Sequence, residues 1–413
     1  YYKFNLRVNI IMIIRNLSLE KYIAIKKSFF LIGPRGSGKS YFLKNQLIPD
    51  SIHSENIYID LLQSGNFDRY LKNAGLLREE IARKLASTGE LCVIIDEIQK
   101  IPGLLDEVHS LIEDYKGRLF FILTGSSARK LKKSNANMLA GRAFFFHFPT
   151  FQPDEVDFQA HLDSIIQYGL LPEVFLENDE SIKQEFLRTY CFNYLKEEIQ
   201  QEALTRNLES FSKFLELAAQ ANGAVVNFSK ISRQIGVASK TVKEYYSILE
   251  ETLVAIKIPA WEKSVRKQLQ KAAKYYFFDN GVLNALTGEL KSELKRRSYR
   301  YGALFENLVV NEIIKRIHSR KLEYSPYHYR TNTGHEIDLI LEETGTRKLL
   351  AIEIKSDDGT SMTSAREFSR LIQFKEEFPD ASLYVFCRTP RPFDRFGVTF
   401  LPFLDGISML LSQ

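Results

Sequence analysis

Residues 27–47 read "KSFFLIGPRGSGKSYFLKNQL". A short apolar run, 29–32, feeds the glycine-rich stretch "GPRGSGKS" (33–40), and a helical pattern follows. This is the G-x-x-x-x-G-K-[ST] pattern in the strand, loop and helix setting it requires. Gly33, Gly36 and Gly38 let the backbone curl so that its N–H groups point inward at phosphate. The following helix adds its positive N-terminal end. Pro34, Arg35 and Ser37 complete the loop. Lys39 is expected to reach the β- and γ-phosphates of ATP, and Ser40 to ligate Mg²⁺. A buried strand feeding such a loop implies an α/β domain with a parallel sheet.

The second piece such a site needs is an acidic residue at the end of another buried strand. "LCVIIDEIQKIPGLLDEVHSLIEDY" (91–115) supplies it. Residues 91–95 are continuously apolar, as in a central parallel strand. Asp96 would hold Mg²⁺, directly or through water, and Glu97 would polarise the attacking water. Taken alone, the same pair would serve equally well as a helix N-cap. A third strand is expected over 119–123 of "GRLFFILTGSSARKL" (117–131). It ends in polar residues 124–127, among which Ser126 is placed to sense the γ-phosphate. In "MLAGRAFFFHFPTF" (138–151), Arg142 stands between a small loop and an apolar strand. It is either an ordinary surface arginine or a finger presented to a neighbouring subunit's phosphate, which would require a homo-oligomer.

"GPRGSGKS", "VIIDEIQKIPGLLDEVHSLIED", "LTGSSARKL" and "LAGRAFFFHFPTF" together resemble the prokaryotic AAA-type ATPases that carry a C-terminal domain of unknown function. The resemblance extends over nearly the whole chain. It implies an α/β P-loop domain, then a helical winged segment, then a nuclease-like α/β domain. Its Walker motifs are shared by many families, whereas "DEIQKIP" and "LAGR" are more specific.

The composition agrees with such a multidomain chain. The 413 residues are too many for one small core. An apolar fraction of 45% and a charged fraction of 26% are ordinary for globular protein. The net charge of +5 leans weakly toward an acidic partner such as DNA. Cys92, Cys191 and Cys387 are far apart and odd in number, so no disulfide framework or zinc spacing can be built from them; the cytoplasm is the expected location. "NIIMII" (9–14) is far too short to span a bilayer, so no membrane insertion is expected. Met12 reads as a natural start.

Residues 151–290 are dominated by helical patterns. "YGLLPEVFL" (168–176) resembles the family motif that ends a lid helix, and its residues alone suggest no chemistry. "VNFSKISRQIGVASKTVKEYYSILEETLVAIKI" (226–258) reads as helix, tight turn at Gly236, helix and strand, with Ser239 as the cap of the second helix. "LVAIKIPAW" and "AAKYYFFD" would be the strands of a wing. Lys240 and Lys243 would face DNA, or the unit is a protein–protein spacer. The basic run 291–300 is either a solvated linker or a stripe that contacts phosphate.

Residues 298–413 complete the division into 12–150, 151–290 and 298–413. In "GHEIDLILEETGTRKLLAIEIKS" (334–356), side chains alternate along each strand. A turn near Gly345 then sets Leu341 across from Leu350, and Asp338 nearly across from Glu353, which shares its face with Lys355. Two close carboxylates repel unless a cation or proton joins them, and Mg²⁺ suits oxygen ligands. This layout resembles the PD-(D/E)xK (restriction-endonuclease-like) superfamily, with Glu306 as the helical acid. Asp338, Glu353 and Glu306 would then hold metal, and Lys355 would stabilise developing charge. A solvent-facing Glu/Lys pair on an edge strand is the plain alternative. The expected function is an ATP-hydrolysing AAA-type ATPase coupled to a DNA-binding, nuclease-like domain. Its rival is a nucleotide-dependent switch whose C-terminal domain is a catalytically dead protein-binding module.

Overall fold

The apolar runs become the inner strands of a parallel sheet. In the computed structural model, residues 13–52, 55–127, 139, 141–195, 208–269, 271–331, 334–360, 364 and 368–410 are described. Met12, residues 128–131 of the third-strand motif and residues 411–413 lie outside them. The first sheet contains β1 (Ser28–Ile32), β2 (Asn56–Asp60), β3 (Leu91–Asp96), β4 (Leu119–Gly125) and β5 (Ala143–His147), in the order β2-β3-β4-β1-β5. Every pairing is parallel. All residues of β1, β3 and β4 are buried, because helices such as Leu76–Thr88 and Leu104–Asp114 cover the faces. Parallel strands bring their C-terminal ends to one edge, where ligands bind in open α/β sheets. The loop after β1, Asp96–Glu97 and Ser126 all emerge there.

Among the described residues, the α-helices Phe158–Tyr168, Pro172–Leu176, Glu180–Thr189, Leu208–Gln220, Phe228–Ile235 and Ser239–Glu251 follow. They lead into an antiparallel hairpin of β6 (Ala255–Ile258) and β7 (Lys274–Phe277). Gly236 has φ +71° and ends its helix, as its place in the sequence predicts. Ser239 is not the cap. Ala238 occupies the extended N-cap position, so Ser239 is already the first helical residue and its hydroxyl is one place too late. The segment 168–176 is stitched to the helix Asn280–Leu286 by Asp279. This buried carboxylate accepts the N–H groups of Leu170 (2.6 Å), Gly281 (2.9 Å) and Val282 (3.2 Å). Gly169 is obligatory at that contact. Its φ is +79°, and a Cβ would lie 2.0 Å from Asp279 Oδ1. Two arginines of the basic run are tied to their own chain: Arg296 to Asp163 (2.6 Å), and Arg300 to Asn284 Oδ1 (2.9 Å).

The helix Tyr299–Arg320 opens the last region and packs on a mixed six-stranded sheet. Its strands are β8 (Tyr324–Arg330), β9 (Glu336–Glu343), β10 (Leu349–Ile354), β11 (Ser382–Cys387), β12 (Phe393–Arg395) and β13 (Val398–Pro402), in the order β12-β13-β11-β10-β9-β8. The hairpin register is Leu341 to Leu350 and Leu339 to Ile352, as the turn near Gly345 predicts. One apolar cluster runs from Phe151 to Leu410, so the middle helices and the last region share a core. Lys315 of the long helix donates to Thr150 Oγ1 at 2.7 Å, which ties that core to the exit of β5. Among the described residues no helix is long and apolar enough to cross a membrane. All three cysteines are free and buried.

Candidate functional site

The loop 33–38 is wedged in place at its start and clasped from outside. A Cβ on Gly33 would lie 1.9 Å from the Phe148 carbonyl oxygen, so no side chain fits. Gly36 and Gly38 have φ of +76° and +90°, the left-handed region glycine adopts at little cost. Arg15, buried over the Phe148 ring, donates to the Ser37 carbonyl at 2.9 Å and pairs with Glu155 at 3.0 Å. Tyr190 donates its hydroxyl to the Arg35 carbonyl at 2.9 Å. Lys39 begins the helix Lys39–Phe42, and its ammonium curls back onto the carbonyls of Gly33 (2.8 Å) and Pro34 (3.0 Å).

A cleft of about 440 Å³ opens over this loop. Lys39, Ser40 and Glu97 line one wall; Ile13, Phe151 and Leu176 contribute apolar surface. Pro172 and Glu173, from the segment to which the sequence assigns no chemistry, also face it. Asp96 stands buried at the end of β3. It accepts hydrogen bonds from Thr124 Oγ1 and, at 2.6 Å, from the Tyr58 hydroxyl. The Ser40 side chain acts on the same Tyr58 hydroxyl, in the direction that eases its ionisation. Burial first, and the Asp96 charge second, push the Tyr58 pKa far up, so its proton stays on. Ser40 and Asp96 thus both act on one hydroxyl. This is an all-oxygen donor set that fits Mg²⁺.

Glu97 holds φ +60°, a left-handed conformation that costs a non-glycine residue on the order of 1–3 kcal/mol. Its backbone N–H donates to Thr124 Oγ1 at 3.0 Å, which helps hold that conformation. Its carboxylate accepts from Gln99 and, at 3.3 Å, from Ser126 Oγ, while Gln99 also donates to Ser126 at 3.0 Å. Glu97 and Ser126, chosen from sequence, therefore meet, and Gln99 joins them. Arg142 does not reach this cleft in its own chain. It precedes β5, whose Ala143 lies level with Ser28 at the far end of the sheet, about four residues or ~13 Å from the loop. There it is paired with Glu113.

The second constellation lies in the last region. Asp338 Oδ2 accepts the Ile354 N–H at 2.8 Å, and Glu353 Oε2 accepts Lys355 Nζ at 3.0 Å. Glu306 Oε1 accepts the Tyr276 hydroxyl at 2.7 Å. Burial, then the Asp338 charge, raises both Glu306 and Glu353 to about 7. Burial works against the Lys355 charge, but Glu353 and Asp338 outweigh it and hold its pKa above the ordinary lysine value. The four expected residues thus share one neighbourhood. However, among the described residues no group of three His, Cys, Asp or Glu side chains is set to hold a metal ion. As arranged, Glu306, Asp338 and Glu353 do not by themselves make such a group. Sequence reading also missed Tyr276 and Lys274, which come from β7. Their apolar, aromatic setting, "AAKYYFFD", marks them only as strand.

Residues 26–156 match the model of an AAA domain. Residues 159–293 and 301–404 match two different models, each described as a domain of unknown function. An uncharacterised protein of Haemophilus influenzae is 27% identical over 331 residues, spanning 75% of this chain and 80% of its own. One from Methanocaldococcus jannaschii is 23% identical over 352 residues, 79% of this chain and 74% of its own. An uncharacterised Mycobacterium tuberculosis protein is 23% identical over 253 residues, 61% of this chain and 56% of its own. Among solved structures, the replication initiator DnaA bound to AMPPCP and single-stranded DNA is similar at a TM-score of 0.28 and 12% identity, over 58% of this chain and 90% of that one. Lys39, Ser40, Asp96 and Glu97 all lie within the segment that matches the AAA domain.

Proposed function

We propose that the chain binds ATP with Mg²⁺ in the cleft over residues 33–40 and hydrolyses it. The observation that carries this reading is the meeting of Lys39, Ser40 and Glu97 on one cleft, with Asp96 held by Tyr58 at the end of β3. Lys39 would exchange its two loop carbonyls for the β- and γ-phosphates. Ser40 and Asp96 would hold Mg²⁺, which supplies neutralising charge on the phosphate oxygens. Glu97 would orient and polarise the water, and Ser126 would report the γ-phosphate to it through Gln99. Arg142 would serve a neighbour's cleft in a homo-oligomer.

The rest of the chain would couple that cycle to a partner in the cytoplasm. The helices 228–235 and 239–251 with the β6–β7 hairpin would act as a winged helix, and the mixed sheet as a PD-(D/E)xK-like fold. Exposed Lys240 and Lys243 would meet DNA phosphates. The pairing of Glu353 with Lys355 favours a second reading for the last region, a binding module without cleavage. Calorimetry with ATP and Mg²⁺ tests the first claim. Wild type should bind and Lys39→Ala should bind far more weakly; equal affinities would sink it. DNA binding and cleavage, scored with and without ATP, separate the readings of the last region.

A further inference from the structure

Four carboxylates gather where the long helix, β9 and β10 meet. They are Glu306 on the long helix, Glu336 and Asp338 on β9, and Glu353 on β10. Glu353 Oε1 is buried and hydrogen-bonded to nothing. Lys355 pairs with Glu353 Oε2, and a second cation arrives from outside the sheet. Lys274, the first residue of β7, keeps only 2% of its side chain exposed. Its ammonium lies 2.5 Å from Glu336 Oε1 and 4.0 Å from Glu306 Oε1. Two residues along, on the same face of β7, Tyr276 is fully buried and donates to Glu306 Oε1 at 2.7 Å. Gly223, with φ +71°, faces both groups: a Cβ there would lie 3.3 Å from the Tyr276 ring and 3.5 Å from Glu306 Oε1.

A buried ammonium costs several kcal/mol unless it is paired. The hairpin's other strand gives Lys274 no carboxylate: its partner across β6 is Ile258. The groups that compensate Lys274 all belong to the last region. The hairpin thus carries a charge that is stable only when docked on this cluster.

We propose that Lys274 is the built-in counter-cation of the cluster. It supplies the positive charge for carboxylates that are not themselves set to hold a metal ion, so the cluster is a socket for the hairpin and not a metal site. None of these residues lines the nucleotide cleft, so this inference stands apart from the ATP reading.

The test is the number of Mn²⁺ ions bound by the full, nucleotide-free chain, measured by electron paramagnetic resonance of the free ion. Wild type and Asp338→Asn should bind the same number. In denaturant unfolding of the same chains, Lys274→Gln should lose stability, and adding Glu336→Gln should recover part of the loss, because the carboxylate left without its cation goes too. If Asp338→Asn alone loses an ion relative to wild type, the cluster already holds metal and the proposal is overturned. A Lys274→Gln chain as stable as wild type, or one that Glu336→Gln does not rescue, overturns it as well. Should circular dichroism show that Lys274→Gln does not fold, the wild-type and Asp338→Asn comparison decides alone. ATP affinity at the cleft does not enter any of these outcomes.

Discussion

The Tyr58 hydroxyl donates to Asp96 Oδ2 at 2.6 Å, so one phenol holds the expected Mg²⁺ carboxylate at the end of β3. Tyr58 lies in the middle of β2, and Asp60, two residues on, stands level with Asp96 across the β2–β3 pair. A hydrogen bond to a charged group contributes ~1.5–3 kcal/mol. Tyr58→Phe should leave the fold intact and free the Asp96 carboxylate to turn. The Mg²⁺ concentration for half-maximal ATP turnover should then rise by about tenfold. ATP binding in EDTA should not change. An unaltered Mg²⁺ dependence would remove Tyr58 from the site.

Arg142 lies at the opposite end of the sheet from its own loop, beside Glu113. If it acts across a subunit boundary, turnover per chain should rise with protein concentration. Arg142→Ala should lower turnover by ~10³-fold or more while sparing ATP affinity. A rate independent of concentration, from a chain that sediments as a monomer, contradicts this role.

Lys240 and Lys243 are exposed on the same helix, and Lys243 lies 5.6 Å from the Phe228 ring centre. Replacing both with Ala should reduce the log–log slope of DNA binding against salt by about one unit per lost phosphate contact. An unchanged slope returns the helix to a spacer role.

His328 knits β8 to the hairpin loop. Its Nε2 lies 3.1 Å from the Ala272 carbonyl, and its backbone bonds to Pro259 and Trp261. Burial lowers its pKa from 6.5 to about 4. Below pH 6.5 the unfolded chain takes up a proton that the folded chain refuses, so stability falls as pH drops from 6.5 toward 4. The slope from this group is at most about 1.4 kcal/mol per pH unit. His328→Gln, which keeps a donor for Ala272, should flatten that part of a denaturation series. A wild-type slope in the variant would assign the acid sensitivity elsewhere.

Much of this architecture was legible because burial on both faces leaves a plain record. Residues 29–32, 91–95 and 119–123 are apolar throughout, and each is a fully buried strand. The β9–β10 register was legible because the turn at Gly345 and side-chain alternation leave one pairing that buries Leu341 and Leu350. The partners of the site residues were not. Tyr58, Gln99 and Tyr276 are ordinary residues in their own segments, and their roles arise from neighbours far along the chain. Lys274 carried the one available signal, a charge inside "AAKYYFFD". Such a residue needs a partner when buried, but nothing in the local pattern says which. Ser239 missed the cap position by a single residue, the scale on which helix ends are hardest to place.

The most direct test of the central claim is steady-state ATP hydrolysis by wild type and Glu97→Gln, with nucleotide affinity measured on the same samples. Glu97 is held at φ +60° with its carboxylate among Gln99 and Ser126. Wild type should hydrolyse ATP only when Mg²⁺ is present. Glu97→Gln should bind ATP as wild type does and turn it over ~10²–10⁴-fold more slowly, because only activation of the water is lost. Equal rates in the two proteins, or no Mg²⁺-dependent hydrolysis by wild type, would contradict the account.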